Sequence, residues 1–513
     1  MRTAILAALA FPLSLAAQAT TAPVRPAPQG FGDPFTAQPL AAGPVKVGPA
    51  RGTLVVVGGG GIGPDIRKAF IDAAGGPDAI ILNVPNAGGS DTVSPNVGQA
   101  WRDAGARNVV VLFTRDRKIA DSDSFTAIIR KAGGVWFDGG RQFHIVQDYG
   151  GTKTEDEIMA VLERGGVVGG SSAGASILGD FMVRGAPSND NAIMDYPGYQ
   201  KGFGYLRNVG IDQHVVARSR LPDIADSIVP RYPSMLGISE DEGTAWVIRG
   251  DTGWIVGRNK AFVYNGKDAN NPGDPFLTLH PGDKYNLNTR RVMSRAIDRS
   301  PVKLDFINSM FARYNNAAAG GATVLVAING DVFIDHAFGV SQQPRNMPRT
   351  TLPQFDLGGI AKVLTELCAQ MPVQAGRGGG GGGGGRGRGG PGGPPPSPLQ
   401  QCVTRISGPI GAHQTKASDS LRVESSVDEL YRLSLGLEVP TTWRNVDYTR
   451  GWTTDTYKGV ARQAAYATAD GKRAAFVRIP DRHATIIILT NDSNADARGM
   501  AEKILDQILA APR

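Results

Sequence analysis

The chain is poor in the side chains that hold metal ions. Its 513 residues include only two cysteines and six histidines, and the histidines are dispersed along the sequence. No Cys/His spacing fits a metal site. We therefore expect no metal and no cofactor, so ordinary side chains must carry whatever chemistry the protein performs.

Long apolar runs are also missing beyond the N-terminus. Residues 4–17 form an apolar stretch after Arg2 and lead into Ala-Gln-Ala at 17–19, a small-x-small pattern typical of a cleaved signal peptide. No later segment reaches the roughly 18 apolar residues that a membrane-spanning helix needs. We expect a signal peptide at 1–19, a secreted or periplasmic protein, and no membrane span after cleavage. An uncleaved apolar anchor is the alternative.

Charge of one sign is not concentrated anywhere. The chain has 54 Lys and Arg against 47 Asp and Glu, a net charge of +7, and the basic residues are scattered. Such a distribution gives no nucleic-acid signal. Hydrophobic residues make up 41% of the chain, which together with its length indicates more than one folded domain.

Two segments have compositions that cannot form a core. Residues 20–50 are rich in Pro, Ala and Gly and predict an extended leader, and residues 376–398 are rich in Gly, Arg and Pro and predict a disordered loop. Cys368 and Cys402 flank the second segment. From sequence alone they are as readily free thiols as a disulfide that closes the loop.

Between about residues 51 and 290 the pattern alternates between strands and helices. This alternation predicts an α/β fold, with a mostly parallel sheet covered by helices on both faces. The predicted strands lie at 52–57, 79–84, 109–113 and 134–137, and the predicted helices at 64–74, 97–104, 122–132 and 154–163. Residues 244–264 predict hairpins that complete this domain.

A candidate nucleophile follows the next strand. Gly170, Ser172 and Gly174 form G-x-S-x-G, with an apolar run before it and a helix-compatible run after it. Strand, tight turn and helix are typical of a nucleophile elbow, in which the next backbone N–H, here that of Ala173, stabilises an oxyanion. The alternative is a Gly/Ser loop without chemistry.

A serine nucleophile needs a base and an acid that orients it. His144, His214 and His280 lie in this half of the chain, and the residues alone leave the choice open, with His214 standing in a dense polar cluster. Glu240 is the first choice of acid, while Asp241 and Glu242 are equally compatible with a solvated charge run. The order Ser, His, Glu differs from that of α/β-hydrolases.

Several motifs together resemble the cyanophycinase group of serine peptidases, which are relatives of aspartyl dipeptidase. Their order and spacing agree over about residues 50–290. The matching pieces are residues 54–61, Phe-Asp-Gly-Gly-Arg-Gln at 137–142, Gly-Ser-Ser-Ala-Gly-Ala at 170–175, Asp-Gln-His at 212–214 with Arg218 and Arg220, and Gly-Ile-Ser-Glu at 237–240.

The resemblance implies roles for these residues. Ser172 attacks, His214 is the base and Glu240 completes the triad. The oxyanion hole combines the N–H of Ala173 with that of Gly139 or Gly140. The pocket residues of the family map to Gln142, Asp212, Gln213, Arg218 and Arg220.

These pocket residues suit an aspartyl polymer that carries arginines. Arginines can bind carboxylates through two parallel hydrogen bonds, and Asp212 could accept a guanidinium or an amine. Ordinary surface ion pairs are the alternative for the arginines. One departure concerns the substrate, because Asp223 follows Leu221 and Pro222 where the family has a third arginine.

Residues 301–513 resemble a shortened β-lactamase-like domain of the penicillin-binding type. The hairpin at 323–335, the helix at Lys362 and the strand at 486–491 carry this likeness. Gly359 stands where the S-x-x-K motif has its serine, and glycine has no hydroxyl to acylate. We expect a catalytically silent α+β domain, interrupted by the loop 376–398.

The sequence thus predicts an exported serine-type peptidase that cuts β-aspartyl peptides of the cyanophycin type. Two alternatives stay open: a peptidase for other aspartyl or isoaspartyl peptides, and a silent binding protein. The expected partner is a peptide substrate, with no nucleic acid, and a homodimer is left open.

Overall fold

The computed structural model describes residues 46–187, 199–264, 276–315, 320–339, 354–371, 396–410, 412, 415–417, 422–438, 443, 446–468 and 473–511. The predicted signal peptide, the predicted leader up to residue 45 and residues 376–395 of the predicted loop lie outside the described residues. Below, the first region means residues 46–299 and the second region means residues 300–511.

The first region contains two sheets with helices around them. Its strands, in chain order, are β1 (Thr53–Val57), β2 (Ile80–Val84), β3 (Asn108–Val111), β4 (Gly134–Phe137), β5 (Val167–Ser171), β6 (Gly179–Phe181), β7 (Leu206–Gln213), β8 (Leu236–Glu240), β9 (Thr244–Arg249), β10 (Thr252–Gly257), β11 (Ala261–Tyr264), β12 (Leu277–Leu279), β13 (Lys284–Asn286) and β14 (Arg291–Ser294).

Its helices are α1 (Pro64–Ala73), α2 (Gln99–Asp103), α3 (Arg117–Ala120), α4 (Asp123–Thr126), α5 (Gln142–Tyr149), α6 (Lys153–Glu163), α7 (Ala173–Ser176), α8 (Leu221–Asp223) and α9 (Val229–Arg231). A π-helical turn, Ile224–Ile228, joins α8 to α9. The predicted helix at 122–132 is split into α4 and a 3₁₀ turn at Ile129–Lys131.

The larger sheet has the order β14-β13-β10-β9-β1-β5-β4-β2-β3. The five strands from β1 to β3 in this order are parallel, and β9 begins an antiparallel extension. The mostly parallel α/β sheet predicted from the sequence is therefore confirmed. Every residue of β1 is buried, as its uninterrupted apolar sequence requires of a central strand covered on both faces.

A second, five-stranded sheet has the order β12-β11-β8-β7-β6, in which β6, β7 and β8 are parallel. The sequence pattern predicted hairpins over 244–264. The hairpin of β9 with β10 is present, whereas β11 crosses to this second sheet and pairs with β8. The carboxyl ends of β7 and β8 then lie beside those of β1, β4 and β5, which is where sites form in such sheets.

The second region is built on one antiparallel sheet. Its strands are β15 (Gly321–Ile328), β16 (Asp331–Gly339), β17 (Phe355–Asp356), β18 (Lys416–Ala417), β19 (Val423–Ser425), β20 (Thr453–Tyr457), β21 (Val460–Ala467), β22 (Arg473–Ile479) and β23 (Ala484–Thr490). Its helices are α10 (Leu304–Met310), α11 (Ala361–Ala369), α12 (Pro398–Ile410), α13 (Val427–Leu437) and α14 (Ala497–Ala510).

The main sheet of this region has the order β16-β15-β23-β22-β21-β20. Helices α10 and α14 pack on one face of this sheet, and helices α11, α12 and α13 pack on the other. Each face has its own apolar cluster. The expected α+β architecture is confirmed, including the hairpin that turns at Asn329-Gly330, where both residues have positive φ as a type I′ turn requires. A disulfide joins Cys368 of α11 to Cys402 of α12.

Candidate active site

Ser172 lies at a strained turn between β5 and α7. Its φ of 59° and ψ of −116° are rare for a residue with a side chain. The flanking glycines are required sterically: a Cβ on Gly170 would lie 2.2 Å from the carbonyl oxygen of Gly174, and one on Gly174 would lie 2.1 Å from that of Phe137. The backbone is therefore that of a nucleophile elbow rather than a Gly/Ser loop.

His214 is the histidine that reaches this serine. It follows β7, and its Nε2 lies 2.9 Å from Ser172 Oγ. Its backbone is left-handed, with φ of 56°, and its N–H donates to the carbonyl of Gly58 at 3.0 Å. Gly59 has to be glycine, because a Cβ there would lie 2.1 Å from His214 Cε1. The glycine turn after β1 thus supports the imidazole.

The other two candidate histidines lie elsewhere. His144 is in α5, where burial together with Arg115 and Arg141 lowers its pKa to about 4. His280 Nε2 lies 3.3 Å from a carboxylate oxygen of Asp335 in the second region. The residues alone left three histidines open, and the geometry selects His214, the one that the family resemblance implied.

The acid against His214 is Glu242, so the expectation that Glu240 completes the triad is wrong. Glu242 Oε1 lies 2.5 Å from His214 Nδ1. Strand β8 ends at Glu240, and alternation puts that side chain on the same face as Ile238, within the hydrophobic core. Glu242 lies beyond the strand, in the turn before β9, where it is 7% exposed rather than solvated.

Glu240 is a buried carboxyl without a role in this contact. It is 0% exposed, and neither carboxyl oxygen has a hydrogen-bond partner in the part of the chain that the structure describes. Burial, with the nearby charges of Asp212 and Asp241, raises its pKa well above the ordinary value. The neutral form of Glu240 is therefore favoured, and a neutral acid does not stabilise an imidazolium as a carboxylate would.

Of the two glycines proposed for the oxyanion hole, Gly139 adjoins Ser172. A Cβ on Gly139 would lie 3.3 Å from Ser172 Cβ and 3.8 Å from its Oγ. Gly140 packs instead against Ala87, and its φ of 149° is one that a side chain would not tolerate. The backbone of Ala173, which opens α7, completes the surroundings of the Ser172 hydroxyl.

Two of the expected pocket residues, Asp212 and Arg220, belong to a buried ionic cluster that is centred on an unforeseen arginine. Arg184 donates from Nε and from a terminal nitrogen to the two carboxylate oxygens of Asp212, at 3.1 and 3.0 Å, and also pairs with Asp223. Asp212 is 0% exposed. It is therefore a partner of Arg184 and not an open acceptor for a substrate cation.

Arg220 borders the same cluster, whereas Arg218 is exposed to solvent. A terminal nitrogen of Arg220 lies 4.0 Å from Asp212 and donates to the carbonyl of Gln213 at 3.3 Å. Burial and the neighbouring Arg184 lower the pKa of Arg220 to about 10, so it remains a cation near neutral pH. Gln142 and Gln213 are both buried, and the amide of Gln142 donates to Val183.

Sequence reasoning missed two functional candidates, Glu242 and Arg184. Glu242 was visible as one of three consecutive acids, but only the end of β8 tells which of them faces the histidine. Arg184 had a weaker signal: two acids, Asp212 and Asp223, near a substrate pocket call for a cation. It comes from a segment between β6 and β7 that carries no motif.

Two other features are absent from the described residues. In these ranges no three His, Cys, Asp or Glu side chains lie together in a way that could hold a metal ion. No helix in the described part of the chain is long and apolar enough to cross a membrane.

Comparisons with known proteins identify the family of the first region. Residues 54–256 match the model of peptidase family S51. A cyanophycinase of Synechococcus elongatus is 30% identical over 267 residues, which are 48% of this chain and 83% of that protein.

Solved structures match both regions at low similarity. A peptidase from an acI-B1 Actinobacterium is 24% identical, with a TM-score of 0.37 over 47% of this chain and 98% of its own. An octameric penicillin-binding protein homologue from Pyrococcus abyssi is 12% identical, with a TM-score of 0.28 over 40% of this chain and 76% of its own.

The elbow serine, the histidine behind it and the sequence matches together define a serine-type peptidase. The chain belongs to peptidase family S51.

The two glutamates can be separated by matched substitutions. We expect Glu242→Gln to lower kcat by about 10⁴-fold, because an amide favours the wrong tautomer of His214 and cannot stabilise its imidazolium. Glu240→Gln should keep kcat, since Gln resembles the neutral acid. Peptidase rates of the two purified variants measure this. Equal losses of kcat in both variants, or a larger loss in Glu240→Gln, would contradict the assignment of Glu242 as the acid that orients His214.

Glu240→Gln should also change how stability depends on pH. Native Glu240 keeps its proton, whereas the unfolded chain releases it above the ordinary glutamate pKa of 4.5. Wild-type stability therefore falls as pH rises from this value towards the raised native pKa, and the variant escapes that loss. Urea midpoints should coincide below pH 4.5 and diverge in favour of the variant above it. A difference that does not vary with pH would contradict a protonated Glu240.

Proposed function

We propose that the protein is an exported peptidase that hydrolyses β-aspartyl peptides of the cyanophycin type through an acyl-enzyme. The observation that carries this proposal is the continuous chain from Ser172 Oγ to His214 Nε2, at 2.9 Å, and from His214 Nδ1 to Glu242 Oε1, at 2.5 Å. Its occurrence in a family S51 chain ties that chemistry to aspartyl substrates.

In this mechanism His214 acts as general base. Nε2 takes the proton of Ser172 as the oxygen attacks the scissile carbonyl, and Glu242 stabilises the imidazolium that forms. The same proton then goes to the leaving amine, which departs and leaves an acyl-serine. A water molecule, deprotonated by His214, attacks the ester and releases the acid with free Ser172.

The oxyanion is stabilised by backbone N–H groups of Ala173 and Gly139. Support comes from their positions on either side of the serine, at the start of α7 and after β4. Donors of this kind are fixed by the fold before the reaction, so they stabilise developing charge without reorganising.

Substrate binding is assigned to the cationic side of the ionic cluster. Arg220 is buried and lies 4.0 Å from Asp212, while Arg184 is committed to Asp212 and Asp223. A substrate carboxylate can therefore pair with Arg220 and with the exposed Arg218. Gln142 and Gln213 supply neutral hydrogen-bonding groups beside them.

A second candidate is hydrolysis of other aspartyl or isoaspartyl peptides. The observation in its favour is Asp223, an acid where the family has a third arginine. Arg184 pairs with that acid and so offsets part of the change in charge. Which carboxylates fit the altered cluster is the point on which the two candidates differ.

A silent binding protein is disfavoured by the intact Ser172, His214 and Glu242 contacts.

In the second region, the position of the expected nucleophile is sterically closed. A Cβ on Gly359 would lie 2.3 Å from the carbonyl oxygen of Tyr466. A serine cannot be placed there without displacing the backbone, which supports a region without acylating activity at this position.

Export is supported by the signal-like N-terminus and by the disulfide between Cys368 and Cys402, a bond typical of oxidising compartments.

The first test is dipeptide release from insoluble cyanophycin by the mature protein, with Ser172→Ala as control. We expect release by the wild type and a loss of about 10⁶-fold in the variant, as when a serine nucleophile is removed. Chromatography of the soluble products measures both. Cleavage of isoaspartyl dipeptides but not of cyanophycin would favour the second candidate, and release by Ser172→Ala would refute the mechanism.

The pocket assignment is tested by Arg220→Ala. We expect KM for an acidic peptide to rise by about 10- to 100-fold, because a hydrogen bond to a charged group contributes roughly 1.5–3 kcal/mol. Arg107→Ala is the matched control. Arg107 pairs with Asp78 at the amino end of the edge strand β3, whereas the site lies at the carboxyl ends of the strands. An unchanged KM in Arg220→Ala would remove this arginine from the substrate site.

A further inference from the structure

Asp241 lies between Glu240 and Glu242 in the sequence and has hydrogen-bond partners that the proposed reaction does not explain. Asp241 is 0% exposed. Its Oδ1 accepts the backbone N–H groups of Val216 at 3.1 Å and Ala217 at 2.9 Å. Val216 and Ala217 lie two and three residues after His214, and Glu242 directly follows Asp241. One buried carboxylate therefore ties the segment that carries the base to the turn that carries its acid.

The other oxygen of Asp241 faces the second region. Its Oδ2 accepts a hydrogen bond from a terminal nitrogen of Arg432 at 3.1 Å, and it also accepts from the Asn259 amide. Arg432 belongs to α13 and is 3% exposed. The guanidinium of Arg432, from the second region, is thus buried against the carboxylate of Asp241, from the first region. The same carboxylate holds the loop that follows His214.

Helix α13 is held firmly enough to act as a support. Ser426 caps its first turn by accepting the N–H of Glu429 at 3.3 Å. Ser434 bonds to Thr485 of β23 at 2.7 Å and accepts from Arg478 at 2.8 Å. The helix is therefore fixed to the main sheet of the second region on the turn after Arg432.

A second ionic contact between the two regions lies close by. Lys260 Nζ lies 2.7 Å from Asp335 and 3.5 Å from Asp428, the latter in α13. The carbonyl of Lys260 accepts the N–H of Asp241 at 3.1 Å. The backbone of Asp241 and its side chain are thus both held by residues that contact α13.

Electrostatics explain why a cation is needed here. Glu240, Asp241 and Glu242 are consecutive and all buried, so an unpaired Asp241 carboxylate would lie next to the charge of Glu242 in a medium of low dielectric. Arg432 neutralises Asp241 and leaves its other oxygen free to hold the N–H groups of Val216 and Ala217. His214 needs such support because its φ of 56° is unfavourable for a residue with a side chain.

We propose that Arg432, contributed by the second region, is a positioning residue of the peptidase site, which holds Asp241 and through it the His214 loop against Glu242. The proposal rests on the proposed function, in which His214 activates Ser172. It gives the second region a part in the reaction without any catalytic group of its own.

Arg432→Ala and Arg432→Gln test this, with Arg462→Ala as the matched control. Arg462 is as buried as Arg432 but pairs with Asp455 and Glu502 inside the second region. One readout is the rate at which Ser172 is labelled by a fluorophosphonate, which needs an activated serine but no particular peptide. The other is kcat and KM on an aspartyl peptide, with thermal unfolding recorded for each variant.

We expect both Arg432 variants to lower the labelling rate and kcat by about 10- to 100-fold, the loss that a small misplacement of a catalytic group produces. KM should change little, and guanidinium ion added to Arg432→Ala should restore part of the rate. Arg462→Ala should label at the wild-type rate even if its unfolding temperature falls.

The proposal is overturned if a folded Arg432 variant labels at the wild-type rate, or if Arg462→Ala loses as much activity as Arg432→Ala. Should the alanine variant fail to fold, Arg432→Gln carries the same test, because it removes the charge and keeps hydrogen-bond donors. Ser172→Ala separates the two hypotheses: labelling that persists there refutes the proposed nucleophile and the Arg432 proposal together, whereas its loss leaves the Arg432 variants decisive.

Discussion

The contact on which the site depends is the one between His214 and the glycine turn after β1. A Cβ on Gly59 would lie only 2.1 Å from His214 Cε1, so the imidazole packs directly against the glycine backbone. This packing leaves the ring pointing one nitrogen at Ser172 and the other at Glu242. Because His214 itself has a left-handed backbone, its orientation depends on what surrounds it.

Much of the first region follows from pattern, because burial on both faces makes central parallel strands apolar throughout. The alternation of strands with helices, the elbow at Ser172 and the hairpin of β9 with β10 were therefore readable. Crossing of β11 to the second sheet was not, since its four apolar residues fit a partner on either sheet. The apolar pattern predicts that a strand is buried, but it does not predict which neighbouring strand pairs with it.

The site shows the same limit more sharply. Glu240 and Glu242 differ by two positions in an acidic run, and what separates them is that β8 ends at the first. The last strand residue still alternates into the core, whereas the turn sends Glu242 back towards the imidazole. Arg184 escaped because its partners, Asp212 and Asp223, come from segments that only the fold brings to it.

The three consecutive acids end in three different states, each set by its partner. Glu240 has no cation and remains protonated, Glu242 meets the imidazole, and Asp241 meets a guanidinium from α13. A buried ion pair adds little net stability, but breaking one leaves an uncompensated charge. Such a pair is suited to fixing geometry rather than to holding regions together. On this argument the Arg432–Asp241 pair fixes the position of the His214 loop, which is the part that the proposal gives to the second region.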